Sequence, residues 1–155
     1  MKKVWYAILM WVVRLTWGLP DTLIGLFVFL FFCIFSKPHI GIKANTIIVE
    51  VPHKPQDTLW GLEGGIFIFS NTDGIWNHSY LLFHEWGHCW PQMLICGPLH
   101  PLLVFIPSVI RFWWRELMYR KHKTLRPYDA VWFEGTATEW GSKWFRWGLE
   151  HQLWS

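Results

Sequence analysis

The sequence predicts a mainly α-helical, membrane-associated protein with a short β-containing region. Apolar residues make up 52% of the 155 positions and charged residues 16%, against about 45–50% and about 25% in ordinary globular domains. The 14 tryptophans add to this signal because indole rings favour the interface between membrane and water, although a Trp-rich soluble core is the alternative. A His-Glu-x-x-His pentapeptide lies between the apolar segments. We therefore expect a single domain made of a membrane hairpin (residues 1–36), a β-containing region (37–76) and a helical region with the metal motif (77–155).

Two apolar segments, residues 4–19 and 23–35, predict an N-terminal helical hairpin that dips into the lipid bilayer. Each segment is shorter than the roughly 20 residues that a helix needs to cross a bilayer. Pro20 is expected to end the first helix, and Asp21 and Thr22 to cap the second. One tilted helix kinked at Pro20 is the alternative architecture.

A secretory signal peptide is a competing interpretation of the N-terminus, because Lys2 and Lys3 precede an apolar stretch. The apolar character extends to residue 35, however, and no small-residue cleavage site follows. A membrane hairpin that stays in the mature chain is therefore favoured.

The middle of the chain predicts two strands. Residues 46–51 are rich in β-branched side chains, residues 65–70 are largely apolar, and Pro and Gly residues lie between them. We expect a short β-hairpin ahead of the metal motif. By analogy with metallopeptidases, its edge can pair with an extended peptide substrate through main-chain hydrogen bonds. The alternative is a strand pair that only covers the next helix.

The metal motif is formed by His84, Glu85 and His88. On a helix, histidines four residues apart project from one face and can share a Zn²⁺ ion. Glu85 lies beside them, where its carboxylate can act as general base toward a water activated by the metal. The helix is expected to begin near Asn77 or Ser79, and to kink or end soon after His88 because Pro91 follows.

A usual catalytic zinc site has three protein ligands, so a third must lie elsewhere in the chain. Residues 132–140 resemble the second zinc helix of the gluzincin metallopeptidases, where a Glu in a Glu-x-x-Ala context completes the site. Glu134 and Ala137 match that context. The resemblance implies His84, His88 and Glu134 as zinc ligands. Small residues at 135–137 also allow two zinc-bearing helices to approach closely, and Asp129 is the alternative third ligand.

The resemblance extends along most of the chain. Five stretches carry it: Leu15 to Pro20, His84 to His88, Gly97 to Leu99, Ile106 to Ser108 and the segment around Glu134. Together they resemble a family of small bacterial membrane proteins with a zinc-peptidase motif, which implies a location in the bacterial inner membrane. Membrane gluzincins often carry Asp directly after the Ala, where it orients a zinc-bound histidine. Here that position is Thr138, a weaker partner than a carboxylate.

A third apolar segment, residues 99–114, is interrupted by Pro101 and Pro107 and ends in a basic cluster. The cluster consists of Arg111, Arg115, Arg120, Lys121, Lys123 and Arg126. Together with the basic N-terminus, it predicts a cytoplasmic location for these segments. The net charge of only +3 and the lack of a nucleic-acid motif argue against a nucleic-acid partner. A final helix is expected over residues 130–148.

The sequence thus predicts a membrane-embedded zinc peptidase that acts on peptides or membrane proteins. Tyr128 and His122 are both candidates to stabilise the oxyanion of a tetrahedral intermediate. A non-catalytic membrane protein with a structural or vestigial metal site is the first alternative. A di-iron membrane enzyme is the second, but such enzymes need several histidine clusters, whereas only His84 and His88 are close together in this sequence.

Overall fold

Helices form most of the described chain, and a small mixed sheet lies between them, as the mainly helical prediction requires. The computed structural model describes residues 2–54, 58–71 and 79–154. The α-helices are α1 (Lys2–Thr16), α2 (Leu19–Phe35), α3 (Ser79–Gly87), the short α4 (Met93–Cys96), α5 (Ile106–Arg120) and α6 (Trp132–Glu150). The strands are β1 (His39–Lys43), β2 (Thr46–Glu50), β3 (Gly61–Gly64) and β4 (Phe67–Ser70).

The two N-terminal helices meet at an angle of 87° instead of forming the expected hairpin. The chain breaks at Gly18, where an added Cβ would lie 2.1 Å from Met93 Sδ. Pro20 does not end α1. It lies in the first turn of α2, where its missing N–H needs no partner. Asp21 and Thr22 do not cap α2 either, since Gly18 occupies the cap position and the Thr22 hydroxyl donates to the carbonyl of Arg14.

The predicted β-hairpin is wrong, although both predicted strands exist. They are β2 and β4, and they pair in parallel within a sheet of order β1-β2-β4-β3. Each strand forms its hairpin with another neighbour instead, β2 with β1 and β4 with β3. The left-handed backbone of Asn45 (φ 57°) and Gly65 (φ 63°) closes these two tight turns. Strand β3 is left at one edge of the sheet.

The helix with the metal motif changes to a π-helical turn at Pro91, near where the sequence predicted a kink or an end. After α3, the chain forms a π-helical turn over His88–Gln92 that contains Pro91, since proline cannot donate to the helical ladder. Of the two predicted helix starts, Ser79 is the first helical residue and Asn77 lies outside the described residues. Helix α4 is followed by a 3-10 turn (Gly97–Leu99), and a second π-helical turn (Pro101–Phe105) leads into α5.

Helices α3 and α6 pack backbone against backbone. An added Cβ at Gly87 would lie 2.1 Å from the carbonyl oxygen of Ala137, and one at Gly141 would lie 2.0 Å from the carbonyl oxygen of Phe83. Of the small residues predicted to permit this approach, Ala137 is at the contact, whereas Gly135 faces the carbonyl oxygen of Asp129. The close approach brings the first turn of α6 next to the last turn of α3.

Much of the apolar side-chain surface is exposed. Within the described ranges, no single helix is long and apolar enough to cross a membrane. Two bent helix pairs, over residues 3–35 and 80–120, reach the required length and composition only when both members are counted together.

Candidate metal centre

Three buried side chains converge where α3 and α6 meet. His84 Nε2 lies 3.3 Å from His88 Nε2 and 3.1 Å from Glu134 Oε2, and the distance from His88 Nε2 to the same oxygen is 3.4 Å. His84 lies on α3, His88 begins the π-helical turn, and Glu134 lies in the first turn of α6. The structure therefore brings together all three sequence-predicted ligands.

The spacing of these atoms fits a tetrahedral zinc ion. Bonds of about 2.0–2.1 Å to nitrogen and oxygen place the ligand atoms of a tetrahedron about 3.3–3.4 Å apart. The three observed separations lie at or near that value. Two imidazoles and one carboxylate leave a fourth position for water or substrate, which is the usual arrangement of a catalytic zinc site.

Gln92 fixes the tautomer of His88. The Gln92 Nε2 donates to the carbonyl oxygen of Phe133, so its Oε1 is the atom that faces His88 Nδ1 at 2.6 Å. An amide oxygen only accepts hydrogen bonds, so His88 Nδ1 must carry the proton. The lone pair of His88 is then on Nε2, which points at His84 and Glu134.

Thr138 contacts the first of the two histidines, His84. Its hydroxyl lies 2.9 Å from His84 Nδ1 and can accept the proton of that nitrogen. With this proton on Nδ1, the Nε2 lone pair of His84 is directed at the same point as that of His88. A threonine hydroxyl therefore orients His84.

Ser108 orients the third ligand and was not identified from the sequence. Its hydroxyl donates to Glu134 Oε1 at 2.6 Å, which leaves Oε2 facing the two histidines. Burial alone raises the pKa of Glu134, but its close contacts with His84 and His88 and the hydrogen bond from Ser108 outweigh burial and hold the pKa far below its usual range. Glu134 is therefore an anionic side chain that could ligate a metal ion.

Glu85 lies beside these three side chains, against the edge strand β3. An added Cβ at Gly61 would lie 2.3 Å from Glu85 Oε1, so a larger residue at this position would displace the carboxylate from its place beside β3. Burial raises the pKa of Glu85 to about 7; the charge of His84 opposes this rise and that of Glu134 adds to it. The carboxyl group can therefore both take up and release a proton near neutral pH.

A cavity of about 410 Å³ opens onto His84 and Glu85. A second cavity of about 240 Å³ adjoins it. Residues common to both are Trp60, Gly61, Phe112 and Tyr128. The two cavities together form a groove between the edge strand β3 and helix α5, and we call it the cleft.

Tyr128 lines the cleft, whereas the other two sequence candidates do not. Its ring centroid lies 6.0 Å from that of His84, and Arg111 donates to its carbonyl oxygen at 2.8 Å. His122 and Asp129 are exposed, and neither is among the described residues that line the two cavities. Asp129 is also not part of the ligand cluster, which consists of His84, His88 and Glu134.

Gln92 and Ser108 were not predicted as site residues, and only one of them has a local sequence signal. Gln92 follows His88 by four residues, so helical spacing alone places it on the same face. Ser108 reaches the site only through the tertiary packing of α5.

Comparisons with protein-family models, with curated proteins and with solved structures find no match to this chain.

Proposed function

We propose that this protein is a membrane-associated zinc peptidase with Glu85 as its general base. One observation carries the proposal: three buried donor atoms at zinc spacing lie beside a buried carboxylate, and His84 and Glu85 line one cleft. A zinc ion at this site supplies a Lewis acid that activates water and polarises a peptide carbonyl.

The residues of the centre have separate roles in this proposal. His84, His88 and Glu134 hold the zinc ion. Glu85 accepts a proton from the attacking water as the new carbon–oxygen bond forms. It then gives that proton to the amine as the carbon–nitrogen bond breaks, so the carboxylate returns to its starting state.

Strand β3 is suited to hold the substrate. It lies at the edge of the sheet and borders the cleft beside Glu85. An extended peptide that pairs with an edge strand is bound mainly through its main chain, so many sequences can be accepted. Tyr128 also lines the cleft, and in this proposal its phenol donates a hydrogen bond to the oxyanion that develops during attack.

Association with the bilayer is supported by the unusual side-chain distribution of α2. Its buried residues include the polar Asp21 and Thr22, whereas Phe27 and Ile34 are 74% and 72% exposed. Soluble proteins bury such apolar side chains, and large exposed apolar surfaces mark contact with a membrane or a partner. We propose that α1 and α2 lie within the bilayer, and that the substrate is a peptide or a membrane protein.

The test is hydrolysis of a library of internally quenched peptides by the detergent-purified chain, with zinc content measured on the same samples. Glu85→Gln should retain zinc and lose about 10²–10⁴-fold in rate, because general acid–base catalysis contributes that much. The control Glu139→Gln changes an exposed glutamate of α6 and should leave the rate unchanged.

Full activity in Glu85→Gln would rule out the proposed mechanism. Zinc binding that stabilises the fold without any hydrolysis by the wild-type chain would instead identify a structural metal site.

A further inference from the structure

A second cluster of titratable side chains is buried near the first, around Glu63 of β3. Asp21 lies in the first turn of α2, Glu63 on β3, and His100 between the 3-10 turn and the second π-helical turn. Their exposed fractions are 0%, 3% and 0%. His100 Nδ1 lies 2.8 Å from Asp21 Oδ2 and 3.6 Å from Glu63 Oε1.

The atoms that face one another in this cluster make no hydrogen bonds. Within the described part of the chain, this is true of both carboxylate oxygens of Asp21, both ring nitrogens of His100 and Oε1 of Glu63. The contact between His100 and Asp21 is short, yet its angles do not form a hydrogen bond. Buried polar atoms without a hydrogen-bond partner are rare in native proteins and require an explanation.

The Glu63 carboxylate is held in the same way as that of Glu134. Its Oε2 accepts a hydrogen bond from the Gly65 amide at 3.2 Å, and Oε1 is left to face His100. In both clusters, one carboxylate oxygen is thus fixed by the protein and the other is directed at an imidazole nitrogen. Such an arrangement is typical of a carboxylate that ligates a metal ion.

Arg14 is also buried, but it donates no described hydrogen bond to the two carboxylates. Its Nε donates to the carbonyl of Cys89, and its Nη1 donates to the carbonyl of Asn45 and the hydroxyl of Thr46. No hydrogen bond from Arg14 to Asp21 or Glu63 occurs among the described residues. Two buried carboxylates this close together cannot both stay ionised unless a proton or a cation offsets their charge.

We propose that Asp21, Glu63 and His100 bind a second divalent cation, of the zinc or manganese class. One imidazole and two carboxylates suit either metal. The ion joins α2, β3 and the segment after α4, three elements that are far apart in sequence. It also fixes β3, which carries Gly61 beside Glu85, and a cavity of about 20 Å³ lined by Glu63, Glu85 and His88 lies between the two centres.

The experiment is a count of bound metal in the full-length chain after chelation and reloading with Zn²⁺ or, separately, Mn²⁺. The wild-type chain should hold two equivalents. Asp21→Asn and His100→Gln should each hold one, and Glu134→Ala should lose the other equivalent. The exposed residues Asp129 and His122 offer matched controls, since Asp129→Asn and His122→Gln should hold two.

The two proposals fail in different ways. The second site would be overturned if Asp21→Asn and His100→Gln both kept two equivalents of metal. It would also be overturned if the wild-type chain held one equivalent that only Glu134→Ala loses. A single equivalent that is lost only in Asp21→Asn and His100→Gln would support the second site and reject the zinc centre of the proposed peptidase.

If Asp21→Asn does not fold, Glu134→Ala still decides the question. X-ray absorption by its remaining metal should show one imidazole among oxygen ligands. No remaining metal, or a spectrum without imidazole, would overturn the second site.

Discussion

Gln92 determines which nitrogen of His88 is available to a metal, so the loss of its side chain should weaken zinc binding. Gln92→Ala removes the acceptor at His88 Nδ1 and frees the imidazole to rotate. We expect zinc to bind about 10–100-fold more weakly, as is usual when such an orienting partner is lost. Competition with a chelating dye measures the change, and the exposed Gln152→Ala is the control. An unchanged dissociation constant for Gln92→Ala would show that packing alone orients His88.

Sequence reasoning identified the local part of the site better than its distant part. His84, Glu85 and His88 follow from helical spacing within one turn, and the structure places them as that spacing requires. Glu134 was reached through a resemblance and not from spacing, since 50 residues separate it from His84. Ser108 could not be found in this way, because its hydrogen bond to Glu134 joins two helices whose relative position a local pattern does not contain.

At the scale of elements, the contact between α3 and α6 sets the geometry of the centre. Gly141→Ala inserts a methyl group 2.0 Å from the carbonyl oxygen of Phe83, so the two helices must separate. We expect a loss of about 1–3 kcal/mol in the free energy of unfolding, which is typical of overpacking, together with weaker zinc binding.

Chemical denaturation and zinc titration of Gly141→Ala test this expectation. Glu139→Ala, which changes an exposed residue of the same helix, should behave like the wild-type chain. Equal stability and zinc affinity in Gly141→Ala would show that the helices tolerate a wider separation.

The sheet shows where element-level prediction fails. Strands β2 and β4 were found because they are runs of apolar and β-branched residues. Strands β1 and β3 were missed, because one is largely exposed and the other is only Gly-Leu-Glu-Gly. Without them, the two strong strands were paired with each other as a hairpin. Pairing in a sheet depends on contacts between distant residues and on turn geometry, which a local pattern does not contain.

For the whole molecule, the exposed apolar surface predicts binding to lipid. The full-length chain, freed of detergent, should float with vesicles of phosphatidylethanolamine and phosphatidylglycerol. Lysine in place of Phe27 and Ile34, two largely exposed residues of α2, should reduce this binding because a charged side chain is costly in the bilayer. Thr124→Lys, at an exposed polar position, is the control. A wild-type chain that stays soluble and unbound would contradict the membrane proposal.

The apolar composition predicted the character of the N-terminal segments but not their arrangement. The chain turns by 87° near Gly18, which packs against Met93 of a helix distant in sequence. The same contact joins the N-terminal helices to the segment that follows the metal motif. The arrangement is therefore a property of the whole fold, and the apolar pattern of residues 4–35 does not specify it.

The most direct test of the zinc centre is the zinc content of the purified full-length chain, measured for the wild type and for Glu134→Ala. Removal of the only anionic ligand among the three should cost the variant one equivalent of zinc per chain, and Glu139→Ala should lose none. Equal zinc in the wild type and in Glu134→Ala, or a folded wild-type chain that binds no zinc at all, would contradict the proposed centre.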